Sequence, residues 1–363
     1  MKQKHLLQAL LFCSMAPVLG AAPAAGQQKL YVLLSATDEM AVVDVATNQV
    51  VKTIKVGPLP HGIATPRSQD VLYVSFEGDR RNPASSGLTV VDPVKDEVIT
   101  EYRLFGPRPN EIEVTSDGRY LYVPVRGHGV YEVFDTVQEK IIARIPVDGF
   151  PHNVVVSPDD RYMYLSAYDR GSRSAEAVAA EGQPTTLNKK IYVVDTSTHS
   201  VVATIPTENA PRPIAISPDG QRLYVNTDNL LGFLVLDLAG RKMLHRVTYD
   251  LLTAEEKAIP SRSHGIGVTP DQKEVWSTDV NRGLVHVFDI TKDPPQQITR
   301  FKTGNIPSWV TFTPDGKTIY VANTGDDTVS VIDVAGKKER AKIQVGKGKA
   351  PKRMLVLTVR SGR

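Results

Sequence analysis

The stretch TPDGKTIYVANTGDDTVSVID, Thr313–Asp333, contains the pattern that decides the fold. It begins with a Thr-Pro-Asp-Gly turn and continues as two short segments in which apolar and polar residues alternate, as in β-strands. The pattern recurs along the chain, for example as SPDDRYMYLS around Tyr164 and SPDGQRLYVN around Tyr224. An aromatic residue precedes an aspartate by 13 residues in five copies, and by 19 and 31 residues in two more. The repetition predicts one structural unit used seven times, with insertions of 6 and 18 residues in two copies.

Each unit contains four short strands joined by turns, which is typical of one blade of a β-propeller. The first copy, KLYVLL from Lys29, lacks its first strand, and the C-terminal segment APKRMLVLTV supplies a first strand with nothing after it. We therefore predict an all-β fold, a seven-bladed β-propeller of four-stranded antiparallel blades over residues 26–363. The C-terminal strand would join the N-terminal blade and close the ring, which removes a free sheet edge. A β-sandwich, the alternative all-β fold, would not need a unit divided between the two ends.

The repeats SPDGQRLYVNT and TPDGKTIYVANTGDDTVSVID resemble those of the YVTN-type β-propeller proteins, which are exported or surface-layer proteins of bacteria and archaea. The resemblance covers the chain after residue 25. The tetrapeptide itself is imperfect, since YVAN at Tyr320 is the best match and other copies read YVPV or YLSA. The resemblance implies a fold and an exported location. It supplies no catalytic motif, so function has to be argued from the site.

The first 25 residues have the features of a secretory signal peptide. Lys2 and Lys4 precede an apolar run from Leu6 to Leu19, and small residues follow it. The run is too short for a membrane-spanning helix. Cleavage after it would remove Cys13, the only cysteine of the chain, so the mature protein would have neither disulfides nor thiol chemistry. We therefore expect a periplasmic or secreted protein with no transmembrane segment, stabilised by its core.

Composition excludes several classes of function. The chain has 363 residues with 43 basic and 40 acidic side chains, a formal charge of +3, which offers no electrostatic signature for nucleic acid. No phosphate-binding loop, dinucleotide fingerprint, zincin helix or nucleophile elbow is present in the sequence. The sequence therefore indicates a propeller, expected to be a monomer, whose function depends on its loops.

The direction of the strands predicts which face of the ring is functional. Loops between second and third strands share one face with the connections between blades, and the Pro-Asp-Gly turns lie on the other. The two insertions, FEGDRRNPASSG and YDRGSRSAEAVAAEGQPTTLNKK, and a long inter-blade connection, YDLLTAEEKAIPSRS, all belong to the first face. Long additions to a regular scaffold are often functional. We expect a ligand or partner to bind at this face.

Polar residues occupy the position at which each channel strand begins. They are His61, Asn110, His152, Arg212, His264, Ser308 and Lys352, here called the mouth positions. Three of them are histidine, in alternating blades. Three neutral imidazoles with an open fourth position suit Zn²⁺, Mn²⁺ or Fe²⁺. His61, His152 and His264 are therefore candidate metal ligands, in an arrangement that resembles those of amidating-lyase and oligogalacturonate-lyase propellers. The alternatives are a site without metal and a wet channel mouth without function.

Further candidates follow from their place on the same face. An acid–base role would fall to Asp279, Asp169 or Tyr168, with Arg212 as an anchor for a carboxylate or phosphate. The candidate ligand-binding residues are Asn110, Arg212, Ser308, Trp309, Lys352, Glu77, Arg126, Asn226 and Asn323. Three functions remain open: binding of a small molecule or periplasmic partner protein at the mouth, a metal-dependent lyase or hydrolase, and a surface-layer or adhesion role that uses blade edges.

Overall fold

The alternating segments form seven four-stranded antiparallel sheets, which confirms the predicted seven-bladed propeller. The computed structural model describes residues 26–79, 81–103, 105–168 and 188–360. Blade 1 contains β28 (Pro351–Val359), β1 (Gln27–Leu34), β2 (Glu39–Asp44) and β3 (Gln49–Lys55). Blade 2 contains β4 (Pro60–Ala64), β5 (Leu72–Phe76), β6 (Gly87–Asp92) and β7 (Glu97–Tyr102). Blade 3 contains β8 (Glu113–Val114), β9 (Tyr120–Val125), β10 (Val130–Asp135) and β11 (Lys140–Pro146).

The remaining four blades repeat this order around the ring. Blade 4 contains β12 (Phe150–Val156), β13 (Tyr162–Tyr168), β14 (Lys190–Asp195) and β15 (Ser200–Pro206). Blade 5 contains β16 (Pro211–Ile216), β17 (Arg222–Thr227), β18 (Gly232–Asp237) and β19 (Lys242–Thr248). Blade 6 contains β20 (Ser263–Val268), β21 (Glu274–Asp279), β22 (Leu284–Asp289) and β23 (Gln296–Lys302). Blade 7 contains β24 (Pro307–Phe312), β25 (Thr318–Asn323), β26 (Thr328–Asp333) and β27 (Lys338–Gln344). A 3₁₀ turn (Pro83–Ser85) and a short helix α1 (Ala254–Ala258) lie in loops.

Strand β28 closes the ring as the sequence predicted. It pairs antiparallel with β1, from Gln27 opposite Val359 to Leu34 opposite Pro351. The two ends of the described chain therefore meet in one blade. Since β28 also packs against β24 and β4, each channel strand has a neighbour on both sides.

The Ser/Thr-Pro-Asp-Gly segments are turns between first and second strands. In blade 5 the Ser217 hydroxyl donates to Asp219 Oδ1 at 2.6 Å and accepts from the backbone N–H of Arg222 at 2.9 Å. Gly220 has a φ of +69°, which an L-residue rarely adopts, and this explains the glycine of the motif. The motif is therefore structural.

The repeated aromatic residue connects neighbouring blades. Tyr31 of blade 1 donates from its hydroxyl to Asp96 of blade 2 at 2.7 Å, and the Tyr122 hydroxyl of blade 3 lies 2.7 Å from His199 Nδ1 of blade 4. Asp96 and His199 occupy equivalent positive-φ positions in the turns before fourth strands. The core lies between the facing sheets of adjacent blades, where Tyr31 packs with Ile63. Burial of such side chains contributes about 1.5–3 kcal/mol each.

The antiparallel order confirms the assignment of the two faces. Loops between second and third strands share one face with the inter-blade connections, because successive strands alternate in direction. Residues 77–79, 81–86 and 250–262 lie on that face, together with the described ends of the segment that joins Tyr168 to Lys190. Within the described ranges, none of the helices combines the length and apolar character that crossing a membrane requires.

Candidate ligand site at the channel mouth

A β-bulge recurs where the channel strands begin. The pairing register of first and second strands shifts between Pro60 and Gly62, between Pro151 and Val154, and at the corresponding point of the other regularly paired blades. A bulge bends the strand and re-aims a side chain. The mouth positions lie in these irregular segments, so their polar side chains can leave the apolar contact between blades. This explains how a polar residue can stand at the start of each channel strand although the residues that follow it in the strand are mostly apolar.

Glu77 is the most extensively paired carboxylate of the mouth. Its Oε1 lies 2.8 Å from His61 Nδ1 and accepts from Arg126 Nη1 at 2.9 Å and from Asn110 Nδ2 at 3.4 Å. Arg108 Nε lies 3.9 Å from Oε2. Burial by itself would raise the pKa of Glu77, but the hydrogen bond from His61 and the neighbouring cations Arg126 and Lys352 hold it well below its usual range. Glu77 is therefore ionised at neutral pH.

His61 connects Glu77 to Lys352. Lys352 Nζ lies 2.9 Å from His61 Nε2. Burial and the nearby Lys352 lower the pKa of His61 to about 4, and burial also lowers the pKa of Lys352. At neutral pH His61 is thus uncharged, with Nδ1–H donating to Glu77 and the Nε2 lone pair accepting from Lys352. The tautomer is set by these two partners.

Glu111 is a second carboxylate in the mouth, with very different surroundings. The residue is 1% exposed, and neither of its carboxylate oxygens accepts a hydrogen bond from the part of the chain that the structure describes. Its Oε1 lies 3.6 Å from His61 Nε2, and its Oε2 lies 3.2 Å from Arg353 Nε without hydrogen-bond alignment. Burial, only partly offset by Arg353 and Lys352, raises the pKa of Glu111 to about 7.

Arg353 reaches across the channel beneath these groups. It starts from β28 in blade 1, contacts Glu111 of blade 3, and places its guanidinium 4.5 Å from the centroid of the Trp309 ring of blade 7. Side chains of three blades thus meet in the channel. We call the mouth positions together with Glu77, Arg353, Glu111 and Trp309 the cup, and the last three residues its floor, because each of them follows a mouth position by one residue.

The other two histidines of the cup lie next to each other. The rings of His152 and His264 lie 6.0 Å apart edge to face, and Trp309 lies 5.2 Å from His264. His264 Nδ1 donates to the Ser308 carbonyl at 2.7 Å, whereas His152 Nδ1 has no partner among the described residues. Burial lowers the pKa of both histidines well below the usual value, so both are neutral at neutral pH.

Arginines surround Tyr168 at the rim. The Arg212 guanidinium lies 4.1 Å from the Tyr168 ring centroid and 2.9 Å from Asp228 Oδ1, while Arg126 donates to the Tyr168 hydroxyl. Arg262 is close enough to lower the pKa of His264. The cations of the mouth are Arg108, Arg126, Arg212, Arg262, Lys352 and Arg353, against the carboxylates Glu77, Glu111 and Asp228. The cup therefore has an excess of positive charge.

Three predicted residues are bonded within the framework. Asn323 Nδ2 donates to Thr328 and Ser330, and Asn226 Nδ2 donates to the carbonyl of His264. Asp279 is fully buried and accepts from Arg282 Nη1 at 2.8 Å and from the hydroxyl of Ser261. The bonds of Asp279 and Asn226 hold loop 250–262 and the start of β20 in place, and those of Asn323 join β25 to β26. Asp169 lies outside the described residues.

The three histidines are not brought into one cluster. His152 and His264 are neighbours, whereas His61 pairs with Glu77 and Lys352. Over residues 26–79, 81–103, 105–168 and 188–360, no group of three or more His, Cys, Asp or Glu is arranged to hold a metal ion. As placed, the ammonium of Lys352 occupies the face of His61 that a metal would need. The metal site stays a prediction.

Sequence reasoning missed Glu111, Arg353, Arg262 and Arg108. Glu111 and Arg353 each follow a mouth position by one residue. The residues at that second position are Gly62, Glu111, Asn153, Pro213, Gly265, Trp309 and Arg353. Opposite charges in two copies of a position that is uncharged in the other five would have indicated a contact across the ring.

Two open grooves lie on the other face, at the Pro-Asp-Gly turns. One, of about 720 Å³, contains Arg67, Asp70 and Arg360, and another, of about 460 Å³, contains Asp271 and Arg340. Their charged side chains are largely exposed to solvent, where an ion pair contributes little to stability and attracts a ligand only weakly. Buried and perturbed ionisable groups are more typical of functional sites, so we place the candidate site at the mouth.

Comparison with known proteins supports the fold, and part of the chain matches a lactonase propeller family. Residues 252–345 match the family described as "Lactonase, 7-bladed beta-propeller". "Antigen Lp49" of Leptospira interrogans is 27% identical over 195 residues, 52% of this chain and 41% of that protein. "Hydrazine synthase subunit beta" of Kuenenia stuttgartiensis is 25% identical over 262 residues, 69% of this chain and 60% of that protein. This chain thus spans less than two thirds of both relatives.

A solved structure shows the same architecture over nearly the whole chain. The periplasmic gluconolactonase PpgL of Pseudomonas aeruginosa superposes with a TM-score of 0.70 and 19% sequence identity, over 92% of this chain and 99% of that one. At that identity the likeness concerns the fold alone. The chain is thus a seven-bladed β-propeller with lactonase propellers among its structural neighbours.

Proposed function

We propose that the cup binds a small, oxygen-rich anion such as a sugar acid or the corresponding lactone. The observation that carries this proposal is the excess of cations around buried polar atoms without hydrogen-bond partners among the described residues, including His152 Nδ1 and Arg126 Nε. Such atoms cost free energy unless a ligand or water satisfies them. Arg212 at the rim and Lys352 inside provide donors for a carboxylate, and Trp309 provides an apolar surface for carbon atoms.

The location and partners of the protein form part of the same proposal. Export is supported by the character of residues 1–25, which lie outside the described residues, and by the word periplasmic in the name of the similar gluconolactonase. A periplasmic partner protein could instead cover the mouth, and an adhesion role would leave the cup unused. Both alternatives predict that the cup has no affinity for sugar acids.

Replacement of Arg212 by alanine is expected to weaken binding of gluconate at least tenfold, because a charge-assisted contact to a carboxylate is lost. Isothermal titration calorimetry measures the affinity. Arg222→Ala is the matched control, since Arg222 pairs with Asp237 at 2.9 Å in the same blade but at the other face. Equal affinities of the two variants, or no binding by the unmodified protein, would contradict the proposal.

Hydrolysis of a lactone is a second candidate function, favoured by the match of residues 252–345 to a lactonase family and by the state of His61. Neutral His61, held by Glu77, would take a proton from water at Nε2 once the ammonium of Lys352 turns from that nitrogen to the carbonyl oxygen, as the water oxygen bonds to the lactone carbonyl carbon. A neighbouring cation would stabilise the carbonyl oxygen anion. The ring C–O bond then breaks, and the proton returns from His61 to the leaving oxygen, which leaves a hydroxyl and a carboxylic acid that releases its remaining proton to solvent.

Replacement of His61 by glutamine is expected to lower the rate of lactone hydrolysis by about 100-fold or more, the usual contribution of a general base. A pH-stat assay with glucono-1,5-lactone, corrected for spontaneous opening, measures the rate. His245→Gln provides the control, because His245 lies in β19 at the outer edge of blade 5. Unchanged rates in the His61 variant would remove the hydrolytic role and leave the binding role standing.

A further inference from the structure

Asn153 is a buried polar residue of a channel strand to which the proposed function gives no role. It follows the mouth position His152 by one residue and is 1% exposed. Its Oδ1 accepts from the backbone N–H of Ile214 at 3.1 Å, and its Nδ2 donates to the carbonyl of Ile214 at 3.3 Å. One side chain of blade 4 thus bonds both backbone groups of a residue in blade 5.

Two other blade boundaries have no side chain at the equivalent position. A Cβ added to Gly62 of blade 2 would lie 2.6 Å from the backbone nitrogen of Ile112 in blade 3. Gly265 of blade 6 lies similarly close to the next channel strand, where an added Cβ would be 2.9 Å from backbone atoms. Ile112 and Ile214 are equivalent, since each lies two residues after a mouth position. The amide of Asn153 therefore spaces two channel strands that approach each other directly where this position is glycine.

The strand end that Asn153 holds carries Arg212. The pairing register of β16 and β17 shifts between Pro211 and Ile214, so Arg212 lies in the bulge and has no partner of its own in the ladder. Asn153 fixes Ile214 from the side of blade 4, two residues after Arg212. It thereby secures the end of the bulge from which the Arg212 side chain projects.

We propose that Asn153 is a positioning residue of the cup, which holds the guanidinium of Arg212 where it can bind the carboxylate of the ligand. This inference rests on the proposed anion-binding function and names a residue that acts through Arg212. Arg212 Nε lies 3.0 Å and Nη2 lies 2.9 Å from the same oxygen of Asp228, Oδ1. Because these two groups form one edge of the guanidinium, Nη1 is left for a ligand.

A fixed position matters because an arginine that has to be ordered on binding contributes less to affinity. Loss of the Asn153 amide would leave the N–H and the carbonyl of Ile214 without their partner and release the end of the bulge. We expect the Arg212 guanidinium to shift relative to Asp228 and the Tyr168 ring. The affinity for gluconate should then fall about tenfold, the effect of having to order one long side chain on binding.

A double-mutant cycle measured by isothermal titration calorimetry tests whether Asn153 acts through Arg212. Asn153→Ala should weaken gluconate binding about tenfold on its own, and by less than about twofold in a chain that already carries Arg212→Ala. Two independent effects would multiply to about 100-fold in the double variant, and that result would overturn the positioning role. Asn153→Leu keeps the approximate size of the side chain, removes both bonds, and should give the same pattern where the alanine variant does not fold.

Thr89→Val is the matched control for a general loss of stability. Thr89 is fully buried and donates to the carbonyl of Val56 at 2.8 Å across the boundary between blades 1 and 2, outside the cup. Valine keeps the shape of the side chain and removes this bond. Thr89→Val should therefore melt at a lower temperature, as Asn153→Ala does, but bind gluconate with unchanged affinity. A comparable loss of affinity in Thr89→Val would assign the effect to the stability of the fold and overturn the proposal.

Crystal structures of the unmodified protein and of Asn153→Ala separate this role from the choice of anion. The Arg212 guanidinium should move by about 1 Å or more relative to the Tyr168 ring, and an unmoved guanidinium would overturn the role of Asn153. Gluconate binding that Asn153→Ala leaves unchanged also overturns this role and leaves the anion site intact. Absence of gluconate binding by the unmodified protein overturns the anion site, whereas the two structures still decide whether Asn153 positions Arg212.

Discussion

Replacement of Glu77 by alanine is expected to lower the free energy of unfolding by about 3–5 kcal/mol at pH 7, because it leaves buried cationic and polar groups without their shared partner. Arg126 and the Nδ1–H of His61 both lose a hydrogen bond to a carboxylate that is only 11% exposed. Denaturant unfolding measures the loss. Glu97→Ala, an exposed glutamate on the outer strand β7, is expected to change stability by no more than about 0.5 kcal/mol.

The contribution of Glu77 to the free energy of unfolding should decrease at low pH. Its pKa in the folded protein is below the value of an unfolded chain, so its stabilising effect is complete above about pH 4.5 and is lost as pH falls towards the folded-state pKa. The difference between the unmodified protein and Glu77→Ala should therefore be constant from neutral pH to about pH 4.5 and shrink below it. A Glu77→Ala protein as stable as the Glu97→Ala control would show that the ion cluster carries no net stability.

Removal of β28 by ending the chain before Pro351 is expected to abolish cooperative folding. The strand supplies Met354, Val356 and Leu357 to the cores on both sides of blade 1, and its loss leaves the channel-side edge of β1 unpaired. An exposed, apolar strand edge is a template for aggregation. Light scattering and thermal unfolding of the shortened chain should show aggregates and no single transition.

A circular permutant tests the pairing of β28 with β1 without shortening the chain. Because Gln27 lies opposite Val359 in the antiparallel pair, a short turn can join the end of β28 to the start of β1. A chain that begins at Lys347 and carries this junction should fold with nearly unchanged stability. Failure of the permutant, or cooperative folding of the shortened chain, would contradict the closure of the ring through β28.

The architecture was predictable because each blade repeats the same local signals. The Pro-Asp-Gly turn, the alternation of apolar residues and the spacing from Tyr320 to Asp333 are properties of adjacent residues, and they recur often enough to be recognised. The divided blade followed from the strand missing at one end and present at the other. The mouth positions were found by the same alignment of the chain with itself.

The composition of the cup was not predictable to the same extent. The sequence grouped His61 with His152 and His264 because they occupy equivalent positions, whereas the structure pairs His61 with Glu77 and Lys352. Equivalent positions share a distance from the ring axis, but the length and direction of each side chain decide which groups meet. Glu111 and Arg353 were missed because their contact joins strands that are far apart in the chain.

The sequence by itself determined the fold, the number of blades, the closing strand and the face on which polar side chains gather, since these depend on short-range patterns repeated seven times. Only the tertiary structure decided which of those side chains are partnered, which are buried without partners, and hence which carry charge. Burial and ion pairing depend on distances across the ring, and those distances are set by the assembled blades and not by neighbours in the sequence.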